Sequence, residues 1–336
     1  MTAPGAVDRQ LTDRLGRVHR DLRVSVIDRC NLRCTYCMPA EGLAWTPGPD
    51  LLTAAEIIRL VRLATEVGIT EVRLTGGEPL IRPDIVGIVA GINALPRAPE
   101  LSVTTNALGL ARLAVPLAEA GLARVNISCD TLDPDTFRRL TLRDRLADVH
   151  TGIDAARAAG LHPIKVNAVL MRGVNDHEAA DLLRWALARG VHLRFIEQMP
   201  LDPQQGWNRA MMVTRAEVLA SLAAAGFALT LLEGRGSAPA EEFLVDGGPA
   251  TVGIVGSVTN PFCDACDRVR LTADGQWRNC LFAQGEADLR TPLRAGADDA
   301  AIVALMRGEV LAKRAGHGID DPTFIQPPRP MSAIGG

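Results

Sequence analysis

Six times between residues 22 and 199, a short run of β-branched and apolar residues is followed by a helical pattern. The runs are "LRVSVID" (22–28), "EVRLTG" (71–76), "LSVTTN" (101–106), "RVNISCD" (124–130), "IKVNAVL" (164–170) and "LRFIEQM" (193–199). Strands alternating with helices pair in parallel through right-handed crossovers, so the chain is α/β. A doubly wound sheet and a complete or partial barrel both satisfy that pattern. Local signals agree with it. Thr53 and Glu56 have capping-box spacing ahead of "AAEIIRLVRLATEVG", Gly68 stops that helix, and Asp84 stands as N-cap of the next. Further helical stretches fall near 110–120, 147–159 and 178–189. Past Met199 the rhythm changes to a helix at 214–226, a Gly-rich region with short β-like pieces, a helix near 299–315 and a Pro-rich tail. The expected division is an N-terminal extension (1–21), a β/α core (22–230) and a smaller C-terminal unit (231–336).

Seven cysteines are grouped three, one and three. The N-terminus lacks the apolar stretch of a signal peptide, and a chain of this kind uses cysteine for metal or redox work rather than disulfides. Cys30, Cys34 and Cys37 stand in a loop leaving the first strand, as C-x3-C-x2-C. Three thiolates can hold three irons of a [4Fe–4S] cluster and leave the fourth iron free for a ligand. A zinc or ferredoxin-type site completed by a distant cysteine is the alternative. Cys263, Cys266 and Cys280 form the second trio, C-x2-C-x13-C. It reads as a second open cluster, or as a zinc ribbon with His317 as a conceivable fourth ligand. Cys129 reads as a small buried hydrophobe.

Cations stand inside the expected strands: Arg23, Arg73, Lys165 and Arg194, with Arg268 and Arg270 sharing one strand face. If these faces turn into a barrel, they form a positive well that demands an anion such as a triphosphate. If they face outward, local carboxylates suffice. The whole chain carries a net charge of −3, which gives no ground for a nucleic-acid or anionic-membrane partner. No apolar run approaches the about 18 residues of a membrane span, and a cytoplasmic protein is expected.

The first trio followed by "TGGEP" (75–79) resembles the radical S-adenosylmethionine (SAM) superfamily. The wider constellation resembles the molybdenum cofactor biosynthesis protein A, or GTP 3′,8-cyclase, family. It comprises "LRVSVIDRCNLRCTYCMP", "VRLTGGEPLIRPDI", "TTNA", "VNISCDTLD", "IKVNAVLMRGVND", "LRFIEQMP", "CDACDRVRLTADGQWRNCLF" and the final "IGG". That resemblance implies a partial (β/α)6 TIM-type barrel with a smaller C-terminal α+β domain carrying a second cluster. It implies that Cys30, Cys34 and Cys37 hold the SAM cluster, and that Tyr36, Gly77, Ser128 and Met199 contact SAM. It implies GTP contacts from Arg23, Arg73, Thr104, Lys165, Arg194, Arg268 and Arg270, and a second [4Fe–4S] cluster on Cys263, Cys266 and Cys280. Gly335 and Gly336 are implied to enter the barrel as an active-site tail, and no side-chain acid or base is implied. The implied reaction is removal of H3′ from GTP by a 5′-deoxyadenosyl radical, followed by attack of C3′ on guanine C8. Glu71 departs from relatives with a basic residue there. A reduced flavodoxin or ferredoxin-type donor, handover to cyclic pyranopterin monophosphate synthase, and a monomer or homodimer complete the expectation. A peptide-modifying radical SAM enzyme with an auxiliary cluster is the alternative.

Overall fold

The computed structural model describes residues 10–335. All six expected strands are present: β1 (Asp21–Ser25), β2 (Glu71–Thr75), β3 (Glu100–Thr105), β4 (Arg124–Ser128), β5 (Ile164–Val169) and β6 (His192–Ile196). Six more follow: β7 (Leu229–Leu231), β8 (Glu241–Val245), β9 (Thr251–Val255), β10 (Arg268–Leu271), β11 (Gln276–Arg278) and β12 (Ala287–Asp288). They form a sheet of order β12-β11-β10-β1-β2-β3-β4-β5-β6-β9-β8-β7. The pairs from β10 through β1 to β6 and on to β9 are parallel; the hairpins at either edge are antiparallel. Residues past 230 thus lengthen the sheet at both of its edges.

Eight parallel strands laid flat would span about 34 Å. Arg270 of β10 and Val255 of β9, from the two ends of that span, nevertheless line one cavity. The sheet is therefore curled into a barrel. Among the described residues no pairing joins β12 to β7, so the barrel is partial.

The strand faces are sorted by polarity. Leu22, Val24, Val72, Leu74, Val125, Ile127, Leu193 and Phe195 are buried outward beneath the helices. The helices of the chain are α1 (Ala54–Glu66), α2 (Ile85–Asn93), α3 (Leu110–Glu119), α4 (Pro134–Thr141), α5 (Leu146–Ala158), α6 (Ala179–Arg189), α7 (Arg215–Ala224), α8 (Arg290–Arg294), α9 (Asp299–Leu311) and α10 (Met331–Ile334), the last on the cavity side. The inward face, which in an ordinary barrel carries branched apolar residues, carries Arg, Ser, Thr and Asn here. Thr53 and Glu56 make the expected capping box on α1. Asp84 is the N-cap residue of α2, as expected, but its side chain makes no capping hydrogen bond. Its carboxylate is drawn instead to Arg82, 2.7 Å from Nε.

Candidate active site

The loop after β1 carries Cys30, Cys34 and Cys37 into the barrel mouth, and all three line the cavity. Its shape is fixed from outside. Arg33 N donates to Thr141 O (2.9 Å) and Thr35 N to Leu140 O (2.9 Å), so the end of α4 supports the loop. Sequence reasoning missed that helix, whose "PDTFRRLT" is only two turns long. Burial pushes the Cys30 thiol up to about 11 and Cys37 to about 12. Cys34 is raised well above its ordinary value too, by burial first and then by Cys37, Asp130 and Cys30.

Gly76 and Gly77 let the end of β2 lie against the loop. A Cβ on either would strike the carbonyl oxygen of Ile27 or Arg29. Gly77 N donates to Ile27 O and Glu78 N to Arg29 O, each at 2.8 Å. The buried Glu78 carboxylate accepts from Thr105 Oγ1 (2.6 Å), Asn106 N (2.7 Å) and Leu80 N (3.0 Å). It ties β2 to β3, and burial pushes it up to about 7 against those bonds. Tyr36, Gly77, Ser128 and Met199, the expected SAM contacts, all line the cavity. Tyr36 Oη is committed to Asp130 Oδ2 at 2.6 Å, a partner the sequence gave no reason to name.

The second trio lines the same cavity. Cys263 and Cys266 sit in a tight turn before β10, where Cys266 N donates to Cys263 O at 3.1 Å. Cys280 follows β11, its sulfur accepting from Phe282 N at 3.5 Å. Burial works against the Cys266 thiolate, but Arg268 and Lys313 outweigh it and bring the thiol down to about 7. His317 also lines the cavity, yet both ring nitrogens are used: Nε2 donates to Ser257 O (2.9 Å) and Nδ1 accepts from Ile319 N (3.1 Å). It has no lone pair left for a metal in this arrangement.

The strand cations face inward. Register places Arg270, Arg23 and Arg73 side by side on β10, β1 and β2, with Arg268 one step along β10. Neighbouring strands are about 4.8 Å apart, so like charges are stacked where they repel. Arg23 Nε, Arg73 Nε and Arg268 Nη2 are buried without a hydrogen-bond partner among the described residues. Burial and then Arg73 bring Arg23 down to about 9; Arg73 falls to about 10, burial again first. Asp21 lies beneath them. Burial opposes its ionisation, but Arg23, Arg73, Arg268 and Arg270 outweigh that and hold its carboxyl below the usual range. One carboxylate cannot balance four guanidiniums. Arg194 crosses the barrel floor, held by Asn167 Oδ1 (3.0 Å) and Asn126 Oδ1 (2.6 Å). Arg23, Arg73, Thr104, Arg194, Arg268 and Arg270 all line the cavity. Lys165 does not; it lies half-buried at the floor, where Asn126 and His192 are its register partners. Glu71, unlike a basic residue, pairs outward with Arg124 at 3.0 Å.

Gly335 is buried at the same wall. Arg270 Nη1 donates to its carbonyl oxygen, and a Cβ there would collide with Thr75 Oγ1. Gly336 lies outside the described residues.

Thiols sharing one Zn2+ lie about 3.8 Å apart, from a tetrahedral site with Zn–S near 2.3 Å. Among the described residues no three His, Cys, Asp or Glu are arranged to hold a single ion. Within each trio the thiols still oppose one another's ionisation. A donor set of three converging, desolvated thiols fits a larger group held at three corners, an iron–sulfur cluster.

Residues 24–186 match the family model of the radical SAM superfamily, and residues 191–319 that of the Molybdenum Cofactor Synthesis C family. A GTP 3′,8-cyclase of Streptomyces coelicolor is 61% identical, across 97% of this chain and 96% of the relative. This chain belongs to the GTP 3′,8-cyclase family. Another such cyclase, of Mycolicibacterium smegmatis, is 54% identical across 99% of this chain and 94% of its own length. Among solved structures, Streptococcus suis SuiB bound to precursor peptide SuiA aligns with a TM-score of 0.59 at 14% identity. That alignment covers 89% of this chain and 69% of SuiB, and it bears on the fold alone. A GTP 3′,8-cyclase family member thus has the curled parallel sheet expected of a radical SAM core, extended by C-terminal strands.

Proposed function

We propose that this chain converts GTP to (8S)-3′,8-cyclo-7,8-dihydroguanosine 5′-triphosphate, the first step of molybdenum cofactor biosynthesis. The observation that carries this reading is a cavity lined by both thiol trios and by buried guanidiniums, of which Arg23 Nε, Arg73 Nε and Arg268 Nη2 lack an acceptor among the described residues. A polyanion must offset that charge, and a triphosphate does so while leaving its nucleoside end toward the thiols.

Cys30, Cys34 and Cys37 hold the cluster that binds SAM, and Cys263, Cys266 and Cys280 hold the second [4Fe–4S] cluster. When loaded, cluster and SAM supply hydrogen-atom abstraction from the ribose C3′. The chain's own residues bind, orient and exclude water. Tyr36, Gly77, Ser128 and Met199 line the SAM side. Arg23, Arg73, Thr104, Arg194, Arg268 and Arg270 hold GTP, Lys165 adds positive charge from the floor outside the cavity lining, and Gly335 closes the wall beside Arg270. No acid or base needs to act, because placement and charge do the protein's share. The 61% identity to a relative named for this activity, over nearly the whole chain, favours this over peptide modification.

The reaction calls for a low-potential one-electron donor of flavodoxin or ferredoxin type and for handover to cyclic pyranopterin monophosphate synthase. Cytoplasmic work as a monomer or homodimer completes the proposal; among the described residues no helix is long and apolar enough to cross a membrane. The test is anaerobic reconstitution: about eight iron per chain and GTP-dependent release of 5′-deoxyadenosine with the cyclised product. SAM cleavage that ignores GTP and yields no cyclised nucleotide sinks the reading.

A further inference from the structure

The segment after α9 carries a lysine to which neither the SAM nor the GTP contacts give a role. Lys313 is buried, and its ammonium is turned toward the back of the second trio. Nζ donates to Arg268 O (2.7 Å), lies 3.4 Å from Cys266 O and 3.4 Å from Cys266 Sγ. Those three contacts use all three ammonium protons. Two of the partners are neutral carbonyls. A buried cation is costly unless matched, and among these three partners the one able to carry negative charge is the Cys266 sulfur.

The backbone around Lys313 is fixed independently. Arg17 donates to Arg314 O (2.8 Å) and Ala315 O (3.2 Å), and the same guanidinium donates to Cys263 O (2.7 Å). Its own charge is met by Asp13, 2.6 Å from Nε. One buried cation therefore clamps the carbonyl of Cys263, and the other contacts both the sulfur and the carbonyl of Cys266.

We propose that Lys313 is a positioning residue for the second cluster. It places a positive charge beside the Cys266 sulfur of that cluster and ties it to β10, which carries Arg268 and Arg270. The proposal rests on the cluster reading above. Hydrogen bonds and charge at a ligand sulfur set cluster potential, and a cation there favours the reduced state. A lysine that merely capped the carbonyls of Cys266 and Arg268 would leave the potential alone.

The experiment is a redox titration of the reconstituted holoenzyme, with and without GTP, read from the electron paramagnetic resonance signal of the second cluster. Lys313→Gln keeps hydrogen-bond donors but removes the charge. It is expected to lower the reduced-to-oxidised ratio at fixed potential about tenfold, equal to 59 mV for one electron. Lys313→Arg is expected to stay within about twofold of the wild type. An unchanged second-cluster signal and potential in Lys313→Gln overturns the proposal. Should that variant lose its second cluster, iron retention against a chelator decides: retention in Lys313→Arg supports the role, and equal loss in both overturns it. A wild-type chain taking up four iron rather than about eight overturns the cluster reading, and this proposal with it, by a different observation.

Discussion

Lys165 shows how far the barrel floor departs from an ordinary protein interior. Burial first, then Arg194 and Arg124, push its amine down to about 8, while Glu242 works the other way. The sign follows from linkage. Between about 8 and the ordinary 10.5, the unfolded chain binds more protons than the folded one, so this group makes the free protein more stable as pH rises through that window. A triphosphate on the floor reverses the preference and favours the ammonium form. Binding of GTP at pH 8.5 is therefore expected to take up protons, and affinity to fall as pH climbs above about 8. Calorimetry in two buffers of different ionisation heat reads the uptake directly. Lys165→Met should abolish much of it, and identical uptake in that variant would leave the effect to the arginines alone. Arg268 is the sharper case, since its Nη2 has no partner among the described residues and its guanidinium lies 4.7 Å over the Phe262 ring. Arg268→Ala should weaken GTP binding by about 2–5 kcal/mol, the range for losing one side of a buried charged contact. Equal affinities by equilibrium dialysis would remove Arg268 from the substrate site.

At the scale of elements, buried carboxylates secure the strand ends that carry the site. Glu78 joins β2 to β3, and Glu178 at the start of α6 accepts from Thr131 Oγ1 (2.5 Å) and Leu132 N (2.9 Å) beyond β4. Glu197, just past β6, accepts from Arg215 N (2.7 Å), Val258 N (2.8 Å) and Thr259 N (2.9 Å). Those bonds hold the start of α7 and the segment leading to the second trio. Glu197→Ala leaves three backbone donors without their acceptor, at about 1–3 kcal/mol for each that stays buried. The expected result is a clear fall in the urea midpoint with unchanged slope, and an unshifted midpoint would show that water replaces the carboxylate. These carboxylates were not legible from sequence, because a Glu near a strand end looks like any polar loop residue. The six strands, the capping box and both cysteine trios were legible, since each rests on spacing within a few residues. The partners of β9 and β10 were not. Val252 pairs with Leu193, and Val269 with Leu22 across nearly the whole chain, and no local pattern reports such a pairing. Asp84 holds the N-cap position it was expected to hold, but its side chain goes to Arg82, two residues away, instead of to the helix backbone.

For the molecule as a whole, the decisive fact is that β9 and β10, at the two ends of the parallel run, and the last described residues line one cavity. Ile334 is fully buried with Leu201 and Phe282, and Met199 packs against that small cluster. This seats the segment independently of Gly335. Beyond it, Gly335 has φ +86°, a conformation that costs glycine little, and its carbonyl accepts from Arg270. The wall is thus divided: Ile334 supplies the apolar hold, and the glycine reaches the guanidiniums where a side chain could not fit. A chain ended after Ile334 is expected to keep its unfolding midpoint within about 1 kcal/mol, since the apolar contacts stay, and to lose cyclisation at least about tenfold. Gly335→Ala separates the two effects, because its Cβ meets Thr75 Oγ1 and displaces the carbonyl without shortening the chain. It should bind GTP with altered affinity and turn over slowly. Full cyclisation by both variants, measured as product per 5′-deoxyadenosine released, would mean that Arg270 is positioned by β10 alone.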